Sequence, residues 1–419
     1  MATQTSGQAG ATGQAGVGNA TVDGKWPVLA SGEAALRAAQ SILPDVAATS
    51  AQSEADRHLS DAVVDRMRRS GLFGLVMPRN LGGSGLGFAD LVRVTAEIGA
   101  ASGSAAWIFG VLAGHSWLIN LFPAEAQTEI MGDPTTLIAT VFRLGGSVVP
   151  EGEGYRLTGA TGRFCSGIDY ANWVIIGNGV KRPDGSVEPR FFVIPKSEIE
   201  VVDDWFTMGM RATGSRSIRI DSAFIPAHRS CSLADMLAGT TPGAQAHEGA
   251  IYRMPFADIA PFSIVGAPIG MARGLVRSFA EEFGGKLRDA DPLQVAEQST
   301  TLARIAEAGA DADAALALVL ADAAMIDRAG DPADVSPLER AQIPRNWAWA
   351  VQKARYAATN LFEVAGGSGI YDGNALQRTF RDIHGAAQHV AFNWDRSMVG
   401  YGRALAGLAP IGFGMPRQK

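Results

Sequence analysis

Cysteine is scarce: Cys165 and Cys231 are the only two in 419 residues, and they form no CxxC or metal-like spacing. That argues against a disulfide scaffold and a structural metal, and it fits a reducing, cytoplasmic setting. Clustered Lys and Arg are missing too. With a formal net charge of −6, nucleic acid is a poor main partner, because its binders neutralise phosphates with grouped cations. No GxGxxG follows an expected strand and no GxxxxGK[ST] occurs, so the usual dinucleotide and nucleoside-triphosphate signatures are absent. The glycine-rich GGSGLG at 82–87 joins two helical segments and reads as a turn. Residues 1–24 hold no Lys or Arg and no apolar core, so 1–25 read as a flexible tail rather than a targeting segment. The longest apolar stretch, 107–122, is broken by His115, Ser116 and Asn120. It is too short to cross a bilayer comfortably and reads as a buried helix, with no membrane partner.

What is present describes a globular protein with more than one domain. Hydrophobic residues make up 47% and charged residues 19% of a chain longer than one core supports. Apolar residues recur at spacings of three and four across 26–135, which predicts an N-terminal helical domain. From 136 to 235 the pattern becomes short alternating segments such as WVIIGNGV and SIRIDSAFIP, the mark of a central antiparallel β barrel or sandwich. After a polar linker near 236–249, helical periodicity returns over 250–408 and predicts a C-terminal four-helix bundle. The fold class is α+β, in the order helices, strands, helices.

Four separated stretches carry a resemblance: GLFGLVMPRNLGGSGLGFADLVRVTAEIGAASGSAAW (71–107), GYRLTGATGRFCSGIDYANWVIIG (154–177), DDWFTMGMRATGSRSIRI (203–220) and EVAGGSGIYDGNALQRTFRDIH (363–384). In this order they resemble the acyl-CoA dehydrogenase superfamily over nearly the whole chain after the tail, which implies that fold, a bound flavin and a homotetramer or dimer, the tetramer being the expected form. The dehydrogenases remove an α-proton with a carboxylate, often shortly after the RD pair. Here that place reads AAQHVAF, with His389 beside it. GHSW with His115 and FCSG with Ser166 look instead like the oxygenase components of two-component flavin monooxygenases of the para-hydroxyphenylacetate hydroxylase type. Dibenzothiophene monooxygenase is similar in FCSG and in the histidine.

That resemblance implies reduced FMN or FAD and O2 as co-reactants, a separate NAD(P)H:flavin reductase as partner, and a small aromatic substrate. It implies a C4a-hydroperoxide as the oxygen donor, with oxidation of a phenol or indole ring, or of sulfur or nitrogen, left open. Carried over residue by residue, Phe164, Cys165 and Ser166 line the flavin ring, with Ser166 at N5 or O4. Thr140, Thr213 and Ser215 contact flavin or substrate, and Gly366 and Gly367 approach the distal half of the flavin across a subunit boundary. Arg253 places a cation near the ring, where it would favour the anionic reduced form. His389 and His115 are the candidate proton acceptors, since imidazole titrates near pH ~6.5. On one helix, His384 and His389 would point about 140° apart, so they are not a metal pair; His384 reads as structural. The rival within the superfamily is a dehydrogenase with a relocated base, for which Asp258 is the candidate.

Overall fold

The computed structural model describes residues 26–133, 135–288 and 290–408. The tail expected over 1–25 lies outside the described residues. Among the described residues, five α-helices precede the sheet: α1 (Gly32–Asp56), α2 (Asp61–Arg69), α3 (Phe88–Gly99), α4 (Gly103–Leu118) and α5 (Ala124–Met131). Two are capped as their sequences suggest. The Ser31 hydroxyl accepts from the Ala34 N–H at 3.3 Å and Ser102 from Ala105 at 3.4 Å, satisfying donors that have no partner inside the helix. α4 is buried at every residue, which explains why it has no polar stripe.

The sheet comprises β1 (Ile138–Val141), β2 (Ser147–Glu151), β3 (Gly154–Cys165), β4 (Trp173–Lys181), β5 (Val187–Pro195), β6 (Glu200–Val202), β7 (Arg216–Pro226) and β8 (Ser230–Ser232). The order is β6-β7-β3-β2-β4-β5-β8, with β1 beside β4. Most neighbours are antiparallel, but β1 and β2 run parallel to β4, so the sheet is mixed. Parallel neighbours need a long crossover, and here the β2–β3 hairpin lies within the β1 to β4 connection. Alternation assigns each face its core. Ala139, Val141, Val174, Ile176 and Ile220 belong to a core made by the strands and the loops between them, while Ile138, Ile175 and Val193 face the helices.

The segment read as a polar linker is built differently. It carries the end of α6 (Leu233–Ala238) and all of α7 (Pro242–Ala246), and Met236, Ala244 and His247 are buried. His247 Nε2 meets Gln127 Oε1 at 2.8 Å. Its Gly, Ala and Thr residues suit a loop and a tight packing surface equally, so composition misleads there.

The remaining helices are α8 (Phe256–Ile259), α9 (Phe262–Leu287), α10 (Pro292–Glu297), α11 (Ser299–Arg328), α12 (Pro337–Val364), α13 (Ala375–Ala386) and α14 (Trp394–Leu405). α9, α11 and α12 pack on one another, α13 packs on α9 and α12, and α14 lies on α12. α9 also crosses α3 and α4, which joins the two helical regions. At the α3 crossing a Cβ on Gly270 would stand 2.1 Å from the Ala96 carbonyl oxygen, so the helices meet this closely only because that side chain is hydrogen. Asp327, in the last turn of α11, accepts from the Phe88 and Ala89 N–H groups at 2.8 Å each and so ties the start of α3 to α11.

Candidate active site

The site grows from one row of α4. Trp107, Val111 and His115 fall at i, i+4 and i+8, on the same face. From that face the Trp107 indole N–H donates to Ser166 Oγ at 3.2 Å. Ser166 Oγ lies 2.7 Å from Ser215 Oγ, which lies 2.7 Å from Thr213 Oγ1. The Thr213 hydroxyl donates to the Met210 carbonyl at 2.8 Å, and the Trp205 indole donates to the same oxygen at 3.1 Å. A continuous hydrogen-bonded chain therefore runs from α4 through the sheet edge to the 203–215 segment. Thr213 and Ser215 are buried, with their hydroxyls engaged among themselves, whereas Ser166 keeps access to the outside.

Two backbone irregularities present this chain to the surface. The β3–β7 register shifts between Gly162 and Cys165, and bulges of this kind re-aim side chains next to sites. Phe164 there adopts φ +68° and is 68% exposed. Its ring meets Trp205 edge-on at 6.1 Å between centroids. Cys165 turns the opposite way, fully buried in the sheet core, where burial pushes its thiol pKa up; its side chain cannot line a ring that Phe164 faces. Met210 is the second irregularity, at φ +56°. Its N–H donates to Asp382 Oδ1 at 2.5 Å. Gly209 allows this approach, because a Cβ there would stand 2.3 Å from the Arg381 carbonyl oxygen. Asp382 is buried, and burial raises its carboxyl to about 6 against the opposing Met210 hydrogen bond.

The two candidate histidines sit at opposite ends of the Trp107 row. His389 packs edge-on against Trp107 at 5.6 Å and also meets Phe392 at 5.6 Å. It is not on the helix of His384: α13 ends at Ala386, and His389 caps the turn 390–392, with Nδ1 accepting from the Ala391 N–H at 3.3 Å. The premise of two faces of one helix is therefore replaced by two separate settings. His384 lies against the Phe380 ring at 4.3 Å and Thr359 Oγ1 at 3.3 Å, away from the hydroxyl chain. His115 places Nδ1 2.7 Å from the Ile138 carbonyl of β1. Burial lowers the pKa of both His115 and His389 to about 4, so both are neutral at pH 7.

Hydrogen-bond partners assign their tautomers. A carbonyl only accepts, so His115 carries its proton on Nδ1 and keeps a lone pair on Nε2. A backbone N–H only donates, so His389 carries its proton on Nε2. One ring presents an acceptor and the other a donor. Beside His115, Thr140 is on the same face of β1 as Ile138, and its buried Oγ1 has no hydrogen-bond partner. Phe142, 6.4 Å from His115, continues that face and clusters with Phe191 and Phe256 at 5.7 and 5.5 Å. A neutral imidazole lone pair, a buried hydroxyl without a partner and an aromatic cluster thus lie on this side of α4.

Other nominated residues stand apart. Arg253 donates to the Gly330 carbonyl at 2.9 Å, between α11 and α12, and does not join the Ser166 group. Gly366, at φ +69°, and Gly367 follow α12 on an open turn where an added Cβ would meet nothing within 4 Å. Asp258 is paired with Arg340 at 2.8 Å, a carboxylate committed to its own helix contact rather than a free base. Sequence reasoning missed Trp205, Met210 and Asp382 as site parts. The one available signal was a carboxylate on the buried side of α13.

A flavin ring suits these residues. The exposed Phe164 and the part-exposed Ser166 two residues on match a planar ring with a hydrogen-bonding edge. The fold and site define the class: residues 31–131 match the acyl-CoA dehydrogenase N-terminal domain and 262–394 the acyl-CoA dehydrogenase C-terminal domain. Within it, the chain is 30% identical over 375 residues to the FADH2-dependent resorcinol hydroxylase oxygenase component of Rhizobium sp. (strain MTP-10005), covering 86% of this chain and 91% of that one. It is 27% identical to the p-hydroxyphenylacetate 3-hydroxylase oxygenase component of Acinetobacter baumannii, covering 91% and 90%. The crystal structure of the HsaA monooxygenase from M. tuberculosis superposes with a TM-score of 0.84 at 29% identity, covering 91% of this chain and 99% of that one. The chain belongs to the family of flavin-dependent monooxygenase oxygenase components built on the acyl-CoA dehydrogenase fold.

Proposed function

We propose that the chain takes reduced FMN or FAD from a separate NAD(P)H:flavin reductase and hydroxylates a small phenolic or indolic substrate with O2. The observation that carries this is the Trp107–Ser166–Ser215–Thr213 chain ending beneath an exposed Phe164, one helix row from His115 and Thr140. The flavin, when bound, supplies the activation of O2 and the oxygen atom delivered; the protein supplies position and electrostatics. Phe164 lies against the ring and Ser166 holds its N5 edge. His115 Nε2 accepts a hydrogen bond from the substrate hydroxyl, which pushes electron density into the ring, and takes its proton as oxygen transfer makes that hydroxyl strongly acidic; Thr140 Oγ1 fixes the same oxygen. His389 offers an N–H above Trp107. The buried walls exclude water. Gly366 and Gly367, with exposed Ile370 and Tyr371 beside them, support a homotetramer in which a neighbouring subunit covers this turn.

Anaerobically reduced FMN, and separately FAD, mixed with the protein and then with oxygenated buffer is expected to give a near-ultraviolet-absorbing species before oxidised flavin returns. In Ser166→Ala that phase should shorten by about tenfold or more, the scale of one lost hydrogen bond to a charged or reactive group. Oxidised flavin returning at the protein-free rate would remove the monooxygenase reading.

A second expectation concerns the bulge. A left-handed conformation costs a non-glycine residue roughly 1–2 kcal/mol, so Phe164→Gly should unfold at equal or higher denaturant, gaining up to ~1 kcal/mol. Reduced-flavin affinity, measured by anaerobic titration, should fall in the same variant. Lower stability with unchanged affinity would show that Phe164 is a packing residue instead.

A further inference from the structure

The hydroxyl chain beneath Ser166 has a direction, and counting hydrogens fixes it. The Met210 carbonyl only accepts, so Thr213, 2.8 Å away, directs its one hydrogen there. Ser215 must therefore donate across its 2.7 Å contact with Thr213. Having no second hydrogen, Ser215 can only accept from Ser166, 2.7 Å on its other side. Ser166 thus turns its hydrogen inward. The Trp107 N–H takes one of its lone pairs from 3.2 Å, and a single lone pair remains on this part-exposed residue. Reversing the chain would leave the Thr213 and Met210 oxygens 2.8 Å apart with no hydrogen between them, a buried repulsion even though the Thr213 N–H and the Trp205 indole also donate to that carbonyl.

Resting on the reading of this place as a reduced-flavin site, we propose that Ser166 is a fixed hydrogen-bond acceptor and that this polarity selects the reduced ring over the oxidised one. A reduced isoalloxazine carries hydrogen on N5 and donates to Ser166. An oxidised ring has a bare N5 lone pair, which would face the Ser166 lone pair. Trp107, Ser215 and Thr213 act through Ser166 and are positioning residues. The same polarity expels the ring once it is oxidised, which returns it to the reductase.

The test is anaerobic titration of the whole chain with reduced and oxidised FMN and FAD, in the wild type, Ser215→Ala and Thr213→Val. Either substitution frees Ser166 to turn its hydrogen outward. The wild type should bind the reduced form at least about tenfold more tightly. In each folded variant, oxidised-flavin affinity should rise by about tenfold, while reduced-flavin affinity changes by no more than roughly threefold. Parallel losses for both redox forms, or an unchanged ratio in both variants, would overturn the polarity. A wild type that binds the two forms equally also overturns it and leaves the oxygenase reading intact, whereas a wild type that binds neither removes that reading itself.

Discussion

His115→Asn is expected to lose about 10²–10⁴ in the rate of substrate hydroxylation, the range of a positioned general base, while still folding. Asparagine can place its amide N–H where Nδ1 meets the Ile138 carbonyl at 2.7 Å, so no buried acceptor is orphaned. What disappears is the Nε2 lone pair. His389→Asn keeps the cap on the Ala391 N–H through its oxygen and should lose far less, because that ring offers a donor rather than a base. Equal losses in the two variants would defeat the assignment of roles from tautomers. The same substitution has a stability signature. The folded pKa of His115 is about 4 against an ordinary 6.5, so its contribution is present above pH 6.5 and is lost as pH falls toward 4. The shift corresponds to roughly 3 kcal/mol. Relative to the wild type, His115→Asn should therefore resist denaturant better at pH 5 than at pH 7. The activity of the wild type should hold well below pH 6.5, since the base stays neutral there.

At Asp382 the sign reverses. Burial raises its carboxyl from 3.8 to about 6, so the native state binds the proton more tightly. The associated stability is present at low pH and is lost as pH rises through about 6. A shift of about two units amounts to on the order of 3 kcal/mol. Asp382→Asn keeps an oxygen for the Met210 N–H and removes the titration. Between pH 5 and pH 8 the wild type should thus lose about half of that, roughly 1.4 kcal/mol, relative to the variant, measured by denaturant midpoints; the whole amount is lost only from below pH 3.8. Asp327, whose carboxyl is also raised to about 6, is common to both proteins and cancels. Parallel pH dependence in the two would show that Asp382 stays ionised throughout. Asp382→Ala is the harsher change. It leaves the Met210 N–H buried and unpaired, at about 1–3 kcal/mol, and should loosen the segment that anchors Thr213 and Ser215.

The sequence made the order of helices, strands and helices readable because helical and strand periodicities are local. The FCSG and GHSW motifs likewise pointed to Ser166 and His115, both of which the fold brings to one side of α4. Local signals end where contacts span long stretches of chain. Nothing near Ser166 announces Trp107 or Ser215, and nothing near Asp382 announces Met210. Cys165 was grouped with its neighbours because a motif is read as a unit, yet a bulged strand sends adjacent side chains to opposite faces. Arg253 was nominated by position alone, and the Gly330 carbonyl claims it.

The burial of α4 on all sides makes it a ruler. Trp107 and His115 are eight residues apart on a helix with no solvent face, which fixes their backbones about 12 Å apart along its axis. Whatever occupies the two ends must meet at that distance. Relatives that accept larger or smaller substrates would therefore have to adjust the strand and loop walls, such as Phe142 and the 203–215 segment, and leave the helix as the common gauge.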